Sequence, residues 1–362
     1  MNKTTIPLLI LVFRCPNTIK EFNLSQWDLL IRQARHAGVL ARLGFFLEKN
    51  GIISLVPEKP FNHIQAALTY SRHFGLSLSW EVDCINDALK PLDTSVIYLK
   101  GAAYALAGNI AAQGRVSVDV DILVKKDQLD LVEKRLIFKG WRNQKLDAYD
   151  QKYYRQWMHE LPPMFHLERK TSIDVHHNIL PTTSRLRPDA NKLLANIVKI
   201  PGKDVWVLAP EDRVLHSATH SFHEGEFAQG FRDLSDLDLL LKEFSTQENF
   251  WVELLQRAEE LNQQITLYYA LRYTHQILQT PIPEKVLKAS EQQSPNRINI
   301  KLMDALFLRA LVPDHESCND YWTGLARWLL FVRSHWLKMP VYLMVPHLIR
   351  KAFRRVMGKE QH

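Results

Sequence analysis

Hydrophobic side chains recur every three to four positions through most of the first 90 residues. Residues 25–49 and 62–90 both keep this period, and Trp27, Leu30 and Ala34 mark it in the first stretch. This spacing is typical of α-helices that bury one face. Asn50-Gly51 then supplies a stop signal. The sequence therefore predicts a helical N-terminal region over residues 1–90.

After residue 90 the pattern becomes strand-like, and it returns to helical spacing near residue 210. Predicted strands occupy residues 95–99, 116–124, 164–167, 172–175 and 205–208, with helices at 101–106 and 126–138. Further helices are predicted at residues 211–223, 234–244, 250–261 and 265–278. We therefore predict an α+β fold. A small mixed-sheet core (residues 91–209) lies between the N-terminal helices (1–90) and a helical C-terminal region (210–362).

Two aspartates interrupt the strand predicted at residues 116–124. Val116, Val118, Val120 and Ile122 alternate there with polar positions that include Asp119 and Asp121. A period of two predicts one buried face, with both aspartates on the other face and their side chains roughly 6–7 Å apart. Such a pair suits divalent cations, because Mg²⁺ prefers oxygen ligands. The alternative is an exposed strand face that carries two solvated aspartates.

Three further features favour a site of phosphate chemistry. The strand at 95–99 runs into Lys100-Gly101-Ala102, where a glycine lets backbone amides approach a phosphate. Arg115 lies four residues before Asp119 and can reach a phosphate oxygen. Asp174, between two β-branched residues, offers a third carboxylate. Together these residues indicate metal-assisted phosphoryl or nucleotidyl transfer.

The order of these motifs resembles a known family. The chain has Leu99-Lys100-Gly101, then Arg115, then Asp119-Val120-Asp121-Ile122-Leu123-Val124, then Asp174 followed by His176. This order is similar to that of the uncharacterised nucleotidyltransferase family within the DNA polymerase beta-like superfamily. The helical flanks extend the resemblance to roughly residues 1–245. The acidic motif is its most specific part.

The resemblance implies a magnesium- or manganese-dependent nucleotidyltransferase. An acceptor hydroxyl would attack the α-phosphate of a nucleoside triphosphate such as ATP and release pyrophosphate. Asp119 and Asp121 would bind both metal ions. Asp174 would complete the coordination of the ion that activates the acceptor hydroxyl, and it would act as the general base or align that base. Gly101 would hold the nucleotide phosphates, and Lys100 and Arg115 would neutralise charge on the triphosphate. The acceptor is left open: a protein side chain, an RNA end, a sugar or another small molecule.

Two residues depart from the superfamily pattern. Ala102 follows the glycine where many members have a residue with a phosphate-binding hydroxyl, and Val118 stands where a small or polar residue often precedes the first aspartate. Both changes leave the carboxylates in place but bear on triphosphate affinity. They motivate an alternative function: a catalytically inactive nucleotide-binding or regulatory protein with the same fold.

Other polar clusters have simpler interpretations. His216, His220 and His223 share one predicted helix face, and we expect them to pack at the edge of the core rather than to bind metal. His176 shares the strand face of Asp174 and is either a second contact of the site or structural. The acidic positions near residue 235 predict a solvated or ion-paired helix face, including Asp233, Asp236 and Asp238.

The charge of the chain concentrates at its C-terminus. The formal net charge is +7, and residues 321–362 hold eight basic side chains and one acidic side chain, so the first 320 residues are neutral. This distribution disfavours a nucleic-acid-binding coat. Residues 346–357 form a basic amphipathic stripe that either packs on its own protein or contacts a membrane surface. A membrane-associated scaffold recruited through this tail is therefore a third candidate.

Cysteine usage and the apolar segments indicate the compartment. Three widely spaced cysteines give no disulfide framework, and residues 6–13 are followed by Arg14, Cys15 and Pro16 rather than by a cleavage site for a signal peptidase. We predict a cytoplasmic protein. The basic C-terminal stripe also allows a peripheral location at the inner face of the membrane.

Overall fold

A computed structural model describes residues 6–117, 119–144 and 147–356, and gives only the backbone for residues 148, 347, 348 and 351–356. The described chain begins with four α-helices. They are α1 (Leu8–Arg14), α2 (Leu24–His36), α3 (Leu40–Lys49) and α4 (Glu58–Leu89). These helices agree with the helical N-terminal end of the predicted α+β fold, and residues 25–49, which share one helical period, form two helices rather than one.

The break between α2 and α3 has a local cause. Gly38 adopts a left-handed φ of +66°, and Val39 N donates to Ala34 O across the end of α2. This is the glycine-centred ending that satisfies the last carbonyls of many helices. At the other end, Asn23 and Gln26 form a reciprocal capping box that fixes where α2 begins.

The core is a seven-stranded mixed sheet. Its strands are β1 (Ile97–Tyr98), β2 (Asp119–Leu123), β3 (Trp141–Asn143), β4 (Met164–His166), β5 (Ser172–His176), β6 (Ile197–Lys199) and β7 (Trp206–Leu208). The spatial order is β3-β4-β5-β2-β1-β7-β6. The β2–β5 and β1–β7 pairs are parallel, and the other pairs are antiparallel. The mixed sheet agrees with the predicted α+β fold.

Four helices connect or follow these strands within the core, and eight come after it in the described chain. The first group is α5 (Lys100–Leu106), α6 (Leu129–Phe138), α7 (Ala148–Gln156) and α8 (Ala190–Ala195). The second is α9 (Pro210–His223), α10 (Gly230–Phe244), α11 (Phe250–Glu260), α12 (Gln264–Leu278), α13 (Glu284–Glu291), α14 (Arg297–Ala310), α15 (Thr323–Lys338) and α16 (Val341–Val356). One continuous hydrophobic core joins the N-terminal helices, the sheet and the C-terminal helices.

One expectation about β2 is wrong. The alternating pattern predicted an open face for this strand, but four of its five residues are buried, including Asp121. The reason is its position: β2 lies between β5 and β1 in the middle of the sheet, and α5 packs against it. The alternative of two solvated aspartates is therefore wrong for Asp121.

The C-terminal stripe lies partly outside the described side chains. Those of Leu348, Lys351, Ala352, Phe353, Arg354, Arg355 and Val356 are not described, and Met357 lies outside the described residues altogether. Ile349, on the apolar side, is exposed. Arg350, on the basic side, lies 2.5 Å from Asp147 and stacks on Tyr149. Among the described residues, no helix is both long and apolar enough to cross a bilayer.

Candidate active site

Two aspartates face each other in the middle of the sheet. The parallel pairing of β2 with β5 sets Asp121 opposite Asp174, and Asp119 lies two residues earlier on β2. Because side chains at i and i+2 of a strand project from the same face, the three carboxylates converge. One oxygen from each lies within 4.8 Å of the other two. The structure thus brings together the three aspartates that the sequence predicted as metal ligands.

Asp121 is buried between two nitrogen donors. Its Oδ1 atom lies 3.1 Å from Lys100 Nζ and 2.9 Å from His176 Nε2. Burial alone would raise the pKa of Asp121, but Lys100 and then His176 outweigh burial and hold that pKa well below its usual range. Burial likewise lowers the pKa of Lys100, and Asp121 more than restores it. Both groups are therefore charged at neutral pH.

Among the described residues, Asp174, unlike Asp121, is not paired with a nitrogen donor that offsets the cost of burying its carboxylate. Its Oδ1 atom is buried and has no hydrogen-bond partner in the described part of the chain. Burial, followed by the nearby carboxylates of Asp121 and Glu160, raises the pKa of Asp174 to about 7. A buried carboxylate needs a positive charge or hydrogen-bond donors. An all-carboxylate donor set suits Mg²⁺ or Mn²⁺, so these residues fit the predicted cation.

Lys100 is held in an uncommon backbone conformation at the junction of β1 and α5. Its φ is +44°, in the left-handed region that residues other than glycine seldom adopt. The adjacent Leu99 N donates to Asp121 O at 3.0 Å, which ties the junction to β2. Such strain, about 1–3 kcal/mol, persists where the surrounding structure requires it and is frequent at functional sites.

Gly101 lies against the side chains of Arg115 and Ser117. A Cβ atom at position 101 would overlap both the Arg115 guanidinium and the Ser117 hydroxyl. Ala102 is buried in the core, so the hydroxyl beside this glycine comes from Ser117 instead. No motif in the sequence marks Ser117 as a residue of the site. Val118, the second departure from the family pattern, lies outside the described residues.

Arg115 is bound to Asp236 of α10. Its Nε atom donates to Asp236 Oδ2 at 2.8 Å, and Arg42 forms an ion pair with the other carboxylate oxygen at 2.6 Å. Asp236 is only 2 % exposed. The predicted ion pairing of this helix face is confirmed for Asp236, but the solvated alternative is wrong because the face is buried. The contact between Arg42 and Asp236 was not predictable from the sequence, because no local pattern connects residues so far apart along the chain.

Residues 23–279 match the sequence model of a family described as an uncharacterised nucleotidyltransferase, which is 257 of the 362 residues. The chain belongs to this nucleotidyltransferase family. The match begins at the N-cap of α2 and ends directly after α12, so it contains the whole sheet and every predicted site residue. The sequence predicted a resemblance over roughly residues 1–245. The matched region begins later, at residue 23, and ends later, at residue 279. No curated protein and no solved structure matches the chain.

Three histidines lie along α9, and they pack within the protein as predicted. His223 Nε2 lies 2.8 Å from Thr266 Oγ1, and His220 pairs with Glu224 at 2.9 Å and with Asp233 at 3.5 Å. Burial, followed by Lys100, lowers the pKa of His216 to about 3. The helix α9 packs against α5, which begins at Lys100, so α9 lies close to the aspartate site. The sequence did not predict this proximity.

A cleft lined by aromatic residues lies beside α7. Tyr149, Tyr153, Trp157 and Lys338 are among its lining residues. The neighbouring segment reaches β5, because Glu160 forms a β-bridge with His176. Tyr149 and Tyr153 belong to α7, and Trp157 follows its last residue. Because α7 is a polar helix with no clear apolar period, neither the helix nor the cleft was predictable from the sequence.

Proposed function

We propose that this protein transfers a nucleoside monophosphate from a nucleoside triphosphate, such as ATP, to a hydroxyl group of an acceptor and releases pyrophosphate. Family membership supports the class of reaction. The observation that carries the proposal is the convergence of Asp119, Asp121 and Asp174, with a buried Asp174 oxygen that lacks a donor among the described residues.

Each aspartate has a distinct proposed role. Asp119 and Asp121 would hold two divalent cations, and Asp174 would hold the one beside the acceptor. Mg²⁺ or Mn²⁺ supplies, when bound, positive charge for the attacking and leaving oxygens. The acceptor oxygen bonds to the α-phosphorus while the bond from phosphorus to the pyrophosphate oxygen breaks. Asp174 accepts the hydroxyl proton or aligns the group that accepts it.

The residues around Gly101 would bind the triphosphate. Gly101 lets the phosphates approach the backbone, and Ser117 places a hydroxyl beside it. Lys100 and Arg115 add positive charge next to the carboxylates, where a triphosphate also needs neutralisation. Arg115 would do so while Asp236 holds its Nε atom.

Transfer of a radioactive label tests the proposal. The full chain is incubated with each α-labelled nucleoside triphosphate, Mg²⁺ or Mn²⁺, and a cell extract that supplies the acceptor. We expect labelled product that is lost in Asp119→Asn and Asp174→Asn. Asp204→Asn, in an exposed turn, is the matched control and keeps the activity. Absence of labelled product, or equal labelling by wild type and Asp119→Asn, would refute the proposal.

One observation supports the alternative of an inactive nucleotide-binding protein. The Lys100 ammonium already neutralises Asp121 at 3.1 Å, where a cation would otherwise bind. Equilibrium dialysis with nucleoside triphosphate separates the two functions. Nucleotide binding that persists in EDTA, without label transfer, supports the alternative. Binding that requires Mg²⁺ or Mn²⁺ supports the enzyme.

We further propose that the protein acts in the cytoplasm and contacts the inner face of the membrane through its C-terminal helices. Cys15, Cys84 and Cys318 are free thiols, as a reducing compartment allows. Trp322, Trp328 and Trp336 of the α15 region are exposed. These exposed tryptophans lie within residues 321–362, the segment of charge +7, and this combination favours an anionic lipid surface as the partner.

A further inference from the structure

A short segment before β4 brings two more metal-ligating side chains against β5. Glu160 forms an antiparallel bridge with His176, Leu161 N donates to Val175 O at 2.9 Å, and His177 N donates to His159 O at 2.8 Å. These backbone bonds fix His159 and Glu160 beside His176. The two imidazole rings lie 5.3 Å apart, centre to centre.

The three side chains offer a compact set of donors. One nitrogen from each imidazole and one oxygen of Glu160 lie within 4.8 Å of one another. His159 and His176 are 6 % and 3 % exposed. The Nδ1 atoms of both histidines are buried and have no hydrogen-bond partner among the described residues. Two buried imidazole nitrogens without hydrogen-bond partners are costly, and a cation bound between them and the carboxylate would satisfy both.

The hydrogen bond to Asp121 orients His176 for metal binding. His176 Nε2 lies 2.9 Å from Asp121 Oδ1 and donates its proton there, which leaves Nδ1 facing Glu160. Nδ1 lies 3.2 Å from Glu160 Oε2 but is not aligned with it for a hydrogen bond. Two ligands of a tetrahedral Zn²⁺ are about 3.3 Å apart, given metal–ligand bonds of about 2.0–2.1 Å. The observed separation is therefore close to that of two ligands of one zinc ion.

A proton on His176 Nδ1 is the simpler way to neutralise this contact. It would balance Glu160, yet it would leave His159 Nδ1 buried without a partner. A metal ion satisfies all three donors together. The carboxylate–histidine–metal arrangement, with Asp121 behind His176, is also the usual way in which proteins orient a metal-binding imidazole.

We propose that His159, Glu160 and His176 form a second metal site, separate from the three aspartates, that binds a borderline transition-metal ion such as Zn²⁺. Imidazole nitrogens with one carboxylate favour zinc or cobalt, whereas the aspartates favour magnesium or manganese. Three protein ligands leave one coordination position open. The ion would fix His176, and through it Asp121, in one orientation.

Cobalt substitution tests the site directly. The full chain, without a histidine tag, is stripped of metal and titrated with Co²⁺ and, in competition, Zn²⁺. We expect one equivalent of Co²⁺ to give visible absorption bands typical of tetrahedral nitrogen and oxygen ligands, and Zn²⁺ to displace it. His159→Gln and Glu160→Gln each weaken binding at least about 100-fold. His63→Gln, at an exposed position of α4, and Asp119→Asn keep the affinity and the spectrum of wild type.

Two results would overturn the proposal. One is that Glu160→Gln, folded by circular dichroism, binds Co²⁺ with the wild-type affinity and spectrum. The other is that Asp119→Asn abolishes the cobalt bands, which would assign them to the aspartates. If His159→Gln does not fold, Glu160→Gln decides alone. The experiment needs no nucleotide, so its outcome is independent of whether the protein transfers nucleotides.

Discussion

The single residue that does most to shape the site is Asp121. Burying its carboxylate opposite Asp174 brings two like charges together, and both Lys100 and His176 compensate Asp121 rather than Asp174. A buried charge without a partner is strongly destabilising. The described residues therefore leave Asp174 as the carboxylate that a bound cation would stabilise.

Gly101 is the residue at which a single methyl group should disturb the site. Gly101→Ala would press a Cβ against the Arg115 guanidinium, which Asp236 holds in place, and against Ser117. We expect the free energy of unfolding to fall by about 1–3 kcal/mol, as for overpacked cores. Urea denaturation measures the change.

Gly75 provides the matched control for this substitution. It lies within α4, and a Cβ there would meet nothing within 4 Å. Gly75→Ala should raise the free energy of unfolding by about 0.5–1 kcal/mol, because alanine favours a helix more than glycine does. If both variants were equally stable, the close packing above Gly101 would be refuted.

At the scale of elements, α10 connects the helical regions to the sheet through Asp236. This carboxylate forms an ion pair with Arg42 of α3 and accepts a hydrogen bond from Arg115, which precedes β2. Asp236→Ala would leave two buried guanidinium groups without their carboxylate and should lower the free energy of unfolding by about 3–5 kcal/mol. Chemical denaturation measures this free energy of unfolding. Asp204→Ala, at an exposed position, is the control and should change the free energy of unfolding little. A loss below about 1 kcal/mol would contradict the buried cluster.

The pairing of α9 with α10 should make stability depend on pH. Burial lowers the pKa of His220, but Glu224 and Asp233 raise it to about 9, above the ordinary value of 6.5. The folded state thus binds this proton more tightly than the unfolded chain. Protonated His220 therefore contributes its full stabilisation of the folded state below pH 6.5, and this contribution is lost as the pH rises to about 9.

His220→Gln should remove this dependence. We expect the difference in free energy of unfolding between wild type and variant to shrink by up to about 3 kcal/mol between pH 6.5 and 9. Urea denaturation across this range measures it. His63→Gln should retain the wild-type profile. An unchanged profile in His220→Gln would show that His220 is not the group responsible.

Local patterns predicted these elements to different degrees. The strands that carry Asp121 and Asp174 were predictable because β-branched residues surround both acids, but their parallel register depends on contacts 53 positions apart. The three-residue edge strand β6, with two exposed positions, has too little pattern to be seen. His176 was noted only for sharing a strand face with Asp174. Its contacts with Asp121 and Glu160 arise from tertiary pairing.

At the scale of the whole molecule, the net positive charge and the proposed active site lie in different parts of the chain. The proposed site lies within the neutral first 320 residues, whereas residues 321–362 carry the entire +7. The basic C-terminal end is therefore not needed to explain the proposed nucleotide binding. Ile349 is exposed while Arg350 contacts α7, so at these positions the apolar side of α16 faces outward. This orientation favours an external apolar partner.

Vesicle sedimentation tests whether that partner is an anionic membrane. We expect the full chain to bind vesicles containing phosphatidylserine more strongly than phosphatidylcholine vesicles, and to lose this preference when residues 346–362 are removed. Added salt should weaken binding, because it screens the basic side chains. Trp328→Gln should also weaken it. Trp80→Gln, at an equally exposed tryptophan on α4, should not. Equal binding to both vesicle types, or no effect of truncation, would instead favour a protein partner for the exposed face.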